Sequence, residues 1–177
     1  MSHTCRLVSY NILEGLQPLS PAGRERRLLD RGRCEAALRV VAALDPDVLV
    51  LNEALFCQQV EGRAVDYGAL FGFPFQACAL YDGTWGNAIL SKARITSSRQ
   101  MRIYNRGGLV ATLQTHAGPL TVASYHPHPG RLPEHKVEDF TRLVQHLQGP
   151  VVVCGDMNCV HPDDALDRGQ LVEGFRR

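Results

Sequence analysis

Four places in this chain put a polar side chain directly after an apolar run. Asn11 follows Arg6-Leu7-Val8-Ser9-Tyr10, and Asn52-Glu53 follows Asp47-Val48-Leu49-Val50-Leu51. His126 follows the segment that starts at Leu120, and Val151-Val152-Val153-Cys154-Gly155 runs out into Asp156-Met157-Asn158. A buried strand ending in a glycine turn delivers its next polar residues to the edge of a sheet, where ligands bind in open α/β arrangements. Asp156 and Asn158 are two residues apart, so a curled loop brings both to one small target.

If these ends converge, the chemistry they suit is phosphate chemistry. A hard divalent cation such as magnesium or manganese takes oxygen ligands, commonly one or two carboxylates with waters and substrate oxygens. Glu53 supplies a carboxylate, and the Asn11 amide can ligate or orient. Asp156 can hold or deprotonate an attacking water, and Asn158 can donate to a phosphate oxygen or fix that water. His126 can donate to a non-bridging oxygen as charge builds in the transition state. Singly, each residue type has an ordinary role: a solvated strand-end carboxylate, a turn asparagine, a surface histidine, a capping aspartate. The order of the set gives it weight.

The elements that must position these groups can be read from periodicity. Asp47–Leu51 is continuously apolar, which implies burial on both faces. The middle of the chain reads as antiparallel strands: Phe75–Tyr81, Gly86–Ser91, Ser98–Tyr104, Leu109–Thr115 and Leu120–His126, the last two joined at His116-Ala117-Gly118-Pro119. A helix before Asp45-Pro46 shows an apolar stripe of Ala37, Val40, Val41 and Leu44. A second, over Leu132–Leu147, shows Val137, Phe140, Val144 and Leu147, and His161 to Leu166 resembles a helix start. About eight strands with two or three helices are used best by two facing sheets with helices outside.

Composition bounds the class. The 177 residues are 45% hydrophobic and 21% charged, with a formal net charge of +1. That describes one domain, residues 1–177, able to bury a core, with no global field favouring nucleic acid. No apolar stretch is long enough to span a bilayer, and the first residues lack a secretory pattern, so a cytoplasmic location is expected. None of the six cysteines forms a Cys-x-x-Cys pair, which argues against a zinc ribbon, and without an export signal reduced thiols are expected.

The phrases Ser9-Tyr10-Asn11, Asp45-Pro46-Asp47-Val48-Leu49-Val50-Leu51-Asn52-Glu53, Gly86-Asn87-Ala88-Ile89-Leu90-Ser91-Lys92, Ser124-Tyr125-His126 and Gly155-Asp156-Met157-Asn158 resemble, in order and rough spacing, the motifs of the endonuclease/exonuclease/phosphatase superfamily. The resemblance covers residues 6 to about 164 and implies an α+β fold, the DNase-like α/β/β/α four-layer sandwich. It implies Asn11 and Glu53 at the metal site, His126 on the phosphate, and Asp156 and Asn158 as the catalytic Asp-x-Asn. Asn11, His126 and Asn158 thereby become substrate-binding candidates too. Asn87 is expected to serve strand packing. Asn52 stands where the family usually has Gln, and Met157 where it usually has an aromatic residue.

The family's closing Ser-Asp-His has no counterpart after Asn158. About 30–40 residues carrying two strands are therefore expected to be missing at the C-terminal end, leaving an open sheet edge that a second copy could pair. The expected activity is a metal-dependent phosphoesterase, foremost a nuclease hydrolysing phosphodiester bonds. The alternatives are an enzyme of small or lipid phosphoesters and a non-catalytic metal- or phosphate-binding module. Basic residues expected near the mouth are Lys92, Arg94, His128, Arg131, His135 and Lys136, with Arg24, Arg26, Arg27, Arg31 and Arg33 in the first loop. Tyr81 and Trp85, expected near Lys92, could stack on a base.

Overall fold

The computed structural model describes residues 4–20, 28–60, 63–81, 83–104 and 106–159. The expected segment at His161–Leu166 and Arg24, Arg26 and Arg27 lie outside these residues.

Two four-stranded sheets form the body. The first contains Leu7–Asn11 (β1), Val48–Leu55 (β2), Phe75–Leu80 (β5) and Trp85–Ser91 (β6), in the order β1-β2-β6-β5. The second contains Arg94–Ile103 (β7), Arg106–Thr115 (β8), Gly118–Tyr125 (β9) and Val151–Cys154 (β10), in the order β10-β9-β8-β7. β1 runs parallel to β2 and β10 parallel to β9; the other pairs in these sheets are antiparallel. Between β2 and β5 the sequence reading missed a short hairpin, Gln59–Val60 (β3) with Arg63–Ala64 (β4). The helices are Arg31–Leu44 (α1), Tyr67–Phe71 (α2) and Pro133–Val144 (α3).

The side-chain period of two sorts the core into three interfaces and so into four layers. In β2, Leu49 and Leu51 face α1 and α2, whereas Val48 and Val50 face the second sheet. Ile89 of β6, Leu109, Ala111 and Leu113 of β8 and Val122 of β9 close that inter-sheet core. Ala123 and Tyr125 of β9 turn the other way and pack with Ile103 and Leu143. The result is the α/β/β/α order expected from the motifs.

Helix α1 starts where the Asp30 side chain accepts the Arg33 backbone N–H at 2.8 Å. It stops at Asp45, whose left-handed φ of 43° precedes Pro46. Its buried residues are Ala37 and Val41; Val40 and Leu44 of the expected stripe are exposed. The second helical stripe needs a larger correction. α3 buries Asp139 and Leu143, and Val137, Phe140 and Val144 are exposed. Arg131 rotates the helix: its Nε and Nη2 donate to Asp139 at 2.9 and 3.3 Å, pulling that carboxylate onto the body. Among the described residues nothing pairs the outer edge of β10, where Val151 and Val152 are exposed.

Candidate active site

Asn11, Glu53, His126, Asp156 and Asn158 lie at one end of the two sheets. The β1–β2 register sets Asn11 opposite Asn52, and the β9–β10 register sets Cys154 opposite Ser124. Parallel pairing therefore carries Asn11, Glu53, His126 and Asp156 past the same rim.

Asn52, fully buried, joins the two sheets there. Its Nδ2 donates to Asn87 Oδ1 at 2.9 Å and to Ser124 Oγ at 3.1 Å, and its Oδ1 accepts the backbone N–H of Asp156 at 2.9 Å. Asn87 is buried as well, so its part in strand packing includes holding Asn52.

A register shift between Leu51 and Ala54 bulges β2 and aims Glu53 at the rim. Glu53 has a φ of 58°, a conformation that costs a side-chain-bearing residue about 1–3 kcal/mol. Two hydrogen bonds hold it: Asn11 Nδ2 donates to Oε1 at 3.1 Å, and the Glu14 backbone N–H donates to Oε2 at 3.1 Å. Glu14 belongs to a single left-handed turn, Leu13–Leu16, whose residues all have positive φ. Arg33 secures that turn. Its guanidinium donates to the carbonyls of Ile12 (3.1 Å), Leu13 (3.3 Å) and Gln17. The sequence reading offered Arg33 only as one of the basic residues of the first loop; its donors brace the backbone behind Glu53.

Asn11 also donates to Asp156 Oδ2 at 2.9 Å, and its Oδ1 accepts the Leu13 N–H at 2.9 Å. One amide thus bridges the two carboxylates. Burial alone would raise the Asp156 carboxyl. The hydrogen bonds from Asn11 and from the Asn158 backbone N–H, with the nearby charge of Arg106, outweigh it and hold Asp156 below its ordinary value. The turn that presents Asp156 requires glycine: Gly155 has a φ of 137°, and a Cβ there would sit 2.0 Å from the Tyr125 carbonyl oxygen. Asn158, itself at a φ of 47°, donates from Nδ2 to the Pro127 carbonyl at 2.8 Å. The Asn158 carbonyl accepts Lys136 Nζ.

His126 is buried, with Nε2 at 3.7 Å from Glu53 Oε1 and 4.0 Å from Asp156 Oδ2. Burial, then the Arg106 charge, lower it to about 4 against the pull of the two carboxylates, so the ring is neutral at neutral pH and these approaches are not ion pairs. Arg106 Nη1 lies 3.0 Å from both ring nitrogens. Equal distances to both set it against the ring, out of line with either lone pair.

Sequence reasoning passed over Arg106. The β8–β9 hairpin register, in which Thr115 faces Gly118 and Gly108 faces Tyr125, was the usable signal. Carried two residues further, it sets Arg106 across from Pro127. Lys92 and Arg94 move the other way. Ser91 pairs with Val48, so Lys92 stands at the far end of β2 from Glu53, where its Nζ meets Asp45 at 2.6 Å. Trp85, at the opposite end of β6 from Lys92, faces His126 with 6.2 Å between ring centroids. Arg131 is committed to Asp139 and to the Tyr104 ring.

Glu53 supplies a hard-oxygen carboxylate of the kind an ion such as magnesium takes, with Asp156 beside it across the Asn11 bridge, so the residues fit that group. No cluster of three His, Cys, Asp or Glu side chains with metal-holding geometry occurs among the described residues.

The fold agrees with comparisons to known proteins. Residues 8–173 match the model of the Endonuclease/Exonuclease/phosphatase family, and the chain belongs to that family. No curated protein matches it. Similar solved structures include an endonuclease/exonuclease/phosphatase from Beutenbergia cavernae (20% identity, TM-score 0.65, covering 97% of this chain and 52% of that one). D. rerio TDP2 complexed with a single-strand DNA product is another (18%, 0.63, 89% and 62%). A third is ANGEL2, a 2′,3′-cyclic phosphatase, in complex with adenosine-2′,3′-vanadate (22%, 0.66, 89% and 54%). Such identities show a shared fold, and this chain spans less than two thirds of each of these structures.

Proposed function

We propose that the chain carries the catalytic face of a divalent-metal-dependent phosphoesterase that hydrolyses phosphodiester bonds of nucleic acid. The observation that carries this reading is the Asn11 bridge: one amide touches both Glu53 and Asp156, although 145 residues separate Asn11 from Asp156. Family membership supports phosphoester hydrolysis, and the DNA product held by the TDP2 structure supports a nucleic-acid substrate.

In this reading Glu53 holds a magnesium or manganese ion, with Asn11 orienting it through the bridge. The ion, when bound, acts as a Lewis acid on the phosphate. Asp156, kept ionised, accepts a hydrogen bond from the attacking water and aims it in line with the leaving oxygen. The neutral His126 ring lies along the substrate phosphate and donates to a non-bridging oxygen. Asn158 fixes the loop to Pro127 and offers its second amide hydrogen to the water or the phosphate.

The experiment is a turnover assay of the full chain with single-stranded DNA, RNA, phosphate monoesters and phospholipid headgroup esters, each with manganese and with chelator. Chelator-sensitive cleavage of DNA or RNA, lost in Glu53→Ala and Asp156→Ala, supports the reading. Turnover of monoesters or lipid esters alone moves the substrate class. Binding of nucleic acid without turnover replaces the hydrolase with a binding module.

No helix among the described residues is long and apolar enough to cross a membrane. We further place the protein in the cytoplasm, a reading supported by six free thiols. The outer edge of β10 is proposed as the surface where a second copy pairs, measurable by sedimentation.

A further inference from the structure

The rim holds two carboxylates, and the cations around it are mostly committed. Arg33 serves three backbone carbonyls, Arg131 serves Asp139, and Lys136 donates to the carbonyls of Asn158 and Pro129. Arg106 is different. Among the described residues no carboxylate lies within ion-pair distance of it; its contacts include the His126 ring, against which Nη1 lies, and the face of Trp85, 4.3 Å from its Cζ.

Its backbone is fixed from below. A Cβ at Gly107 would sit 2.6 Å from the Met101 carbonyl oxygen and 3.1 Å from the Tyr81 ring, and the Tyr81 hydroxyl donates to the Gly107 carbonyl at 3.2 Å. Trp85 then fixes the plane of the guanidinium. Burial pulls the Arg106 guanidinium below its ordinary pKa while the fields of Glu53 and Asp156 pull the other way, which places it in reach of both electrostatically. A half-buried guanidinium with its plane set and no touching counter-charge is costly unless an anion comes to it.

We propose that Arg106, seated on Trp85, is the phosphate-binding cation of this site and donates to the non-bridging oxygens of the phosphoryl group that lies beside Asp156. The planar fork matches two phosphate oxygens, as a lysine ammonium does not. This deepens the phosphoesterase reading and rests on it.

Trp85 is the one tryptophan in the chain, so its fluorescence reports on its Arg106 contact directly. The test is a fluorescence titration of the full chain with inorganic phosphate, with circular dichroism confirming the fold of each variant. The wild type gives a saturable change, and Arg106→Ala weakens phosphate binding tenfold or more. Arg106→Lys keeps the charge and loses the fork, weakening it several-fold; it gives the reading if the alanine variant does not fold. Unchanged affinity in the folded variants, or no phosphate response in the wild type, overturns the proposal. Loss of phosphate binding in Arg106→Ala, alongside a wild type that turns over no ester, supports Arg106 and defeats the hydrolase reading alone.

Discussion

The backbone N–H of Asp156 donates to the side-chain oxygen of Asn52 at 2.9 Å, across 104 residues of sequence. The same buried amide reaches Asn87 and Ser124, so one side chain joins both sheets to the loop that carries Asp156. Asn52→Ala leaves several buried polar groups without a partner, each worth about 1–3 kcal/mol. We expect a loss of about 2–4 kcal/mol in urea unfolding. Asn87→Ala should cost less, and the double variant less than the sum of the two. Full additivity in that cycle would deny that the two amides act together.

The glycine before Asp156 should tolerate nothing larger. Gly155→Ala must move the Tyr125 carbonyl, and we expect a loss of about 3 kcal/mol or more. Gly72, at a φ of 78° with open space around its Cβ position, should lose only about 1 kcal/mol as alanine. Equal thermal shifts for the two variants would contradict the close approach at Gly155.

His126 makes stability depend on pH. Its folded value of about 4 lies below its ordinary 6.5, so between those values the unfolded chain binds more protons than the folded one. Its contribution is complete above pH 6.5 and falls away as pH drops toward 4, by up to about 3 kcal/mol. His126→Gln should flatten the slope in this window. Denaturant unfolding at several pH values reads it, and an unchanged slope in the variant would assign the effect to another group.

Thiol reactivity should divide by burial. Cys78 and Cys154 are pushed up to about 11 by burial, whereas Cys5 and Cys159 are exposed. At pH 8 an aromatic disulfide reagent should consume the exposed pair faster than the buried pair, since the thiolate is the reacting form and burial also blocks access. Comparable rates for all four would show that the strands carrying Cys78 and Cys154 open readily.

The four-layer order was legible because β2 is apolar at every position from Val48 to Leu51, and only a sheet covered on both faces buries such a run. The rim residues were legible because each follows an apolar run, and parallel register sets β1 with β2 and β10 with β9; β2 runs on past Glu53, which sits on its bulge, to Leu55. What escaped was set by tertiary contacts. The helix stripe Val137, Phe140 and Val144 was overruled by the Arg131–Asp139 pair, and Arg33 by three backbone carbonyls in a left-handed turn. Lys92 was misplaced because the motif Gly86–Lys92 runs antiparallel to β2, which sends its end away from the rim. Arg106 had no motif around it; only the hairpin register placed it.

The central claim is that Glu53 holds a divalent ion with Asp156 beside it at the same rim. Its most direct measurement is calorimetric titration of manganese into the full chain, Glu53→Gln and Asp156→Asn, each checked for folding. The account predicts about one ion per wild-type chain and at least about tenfold weaker binding in Glu53→Gln, with a smaller loss in Asp156→Asn. Manganese affinity unchanged in both variants would contradict it.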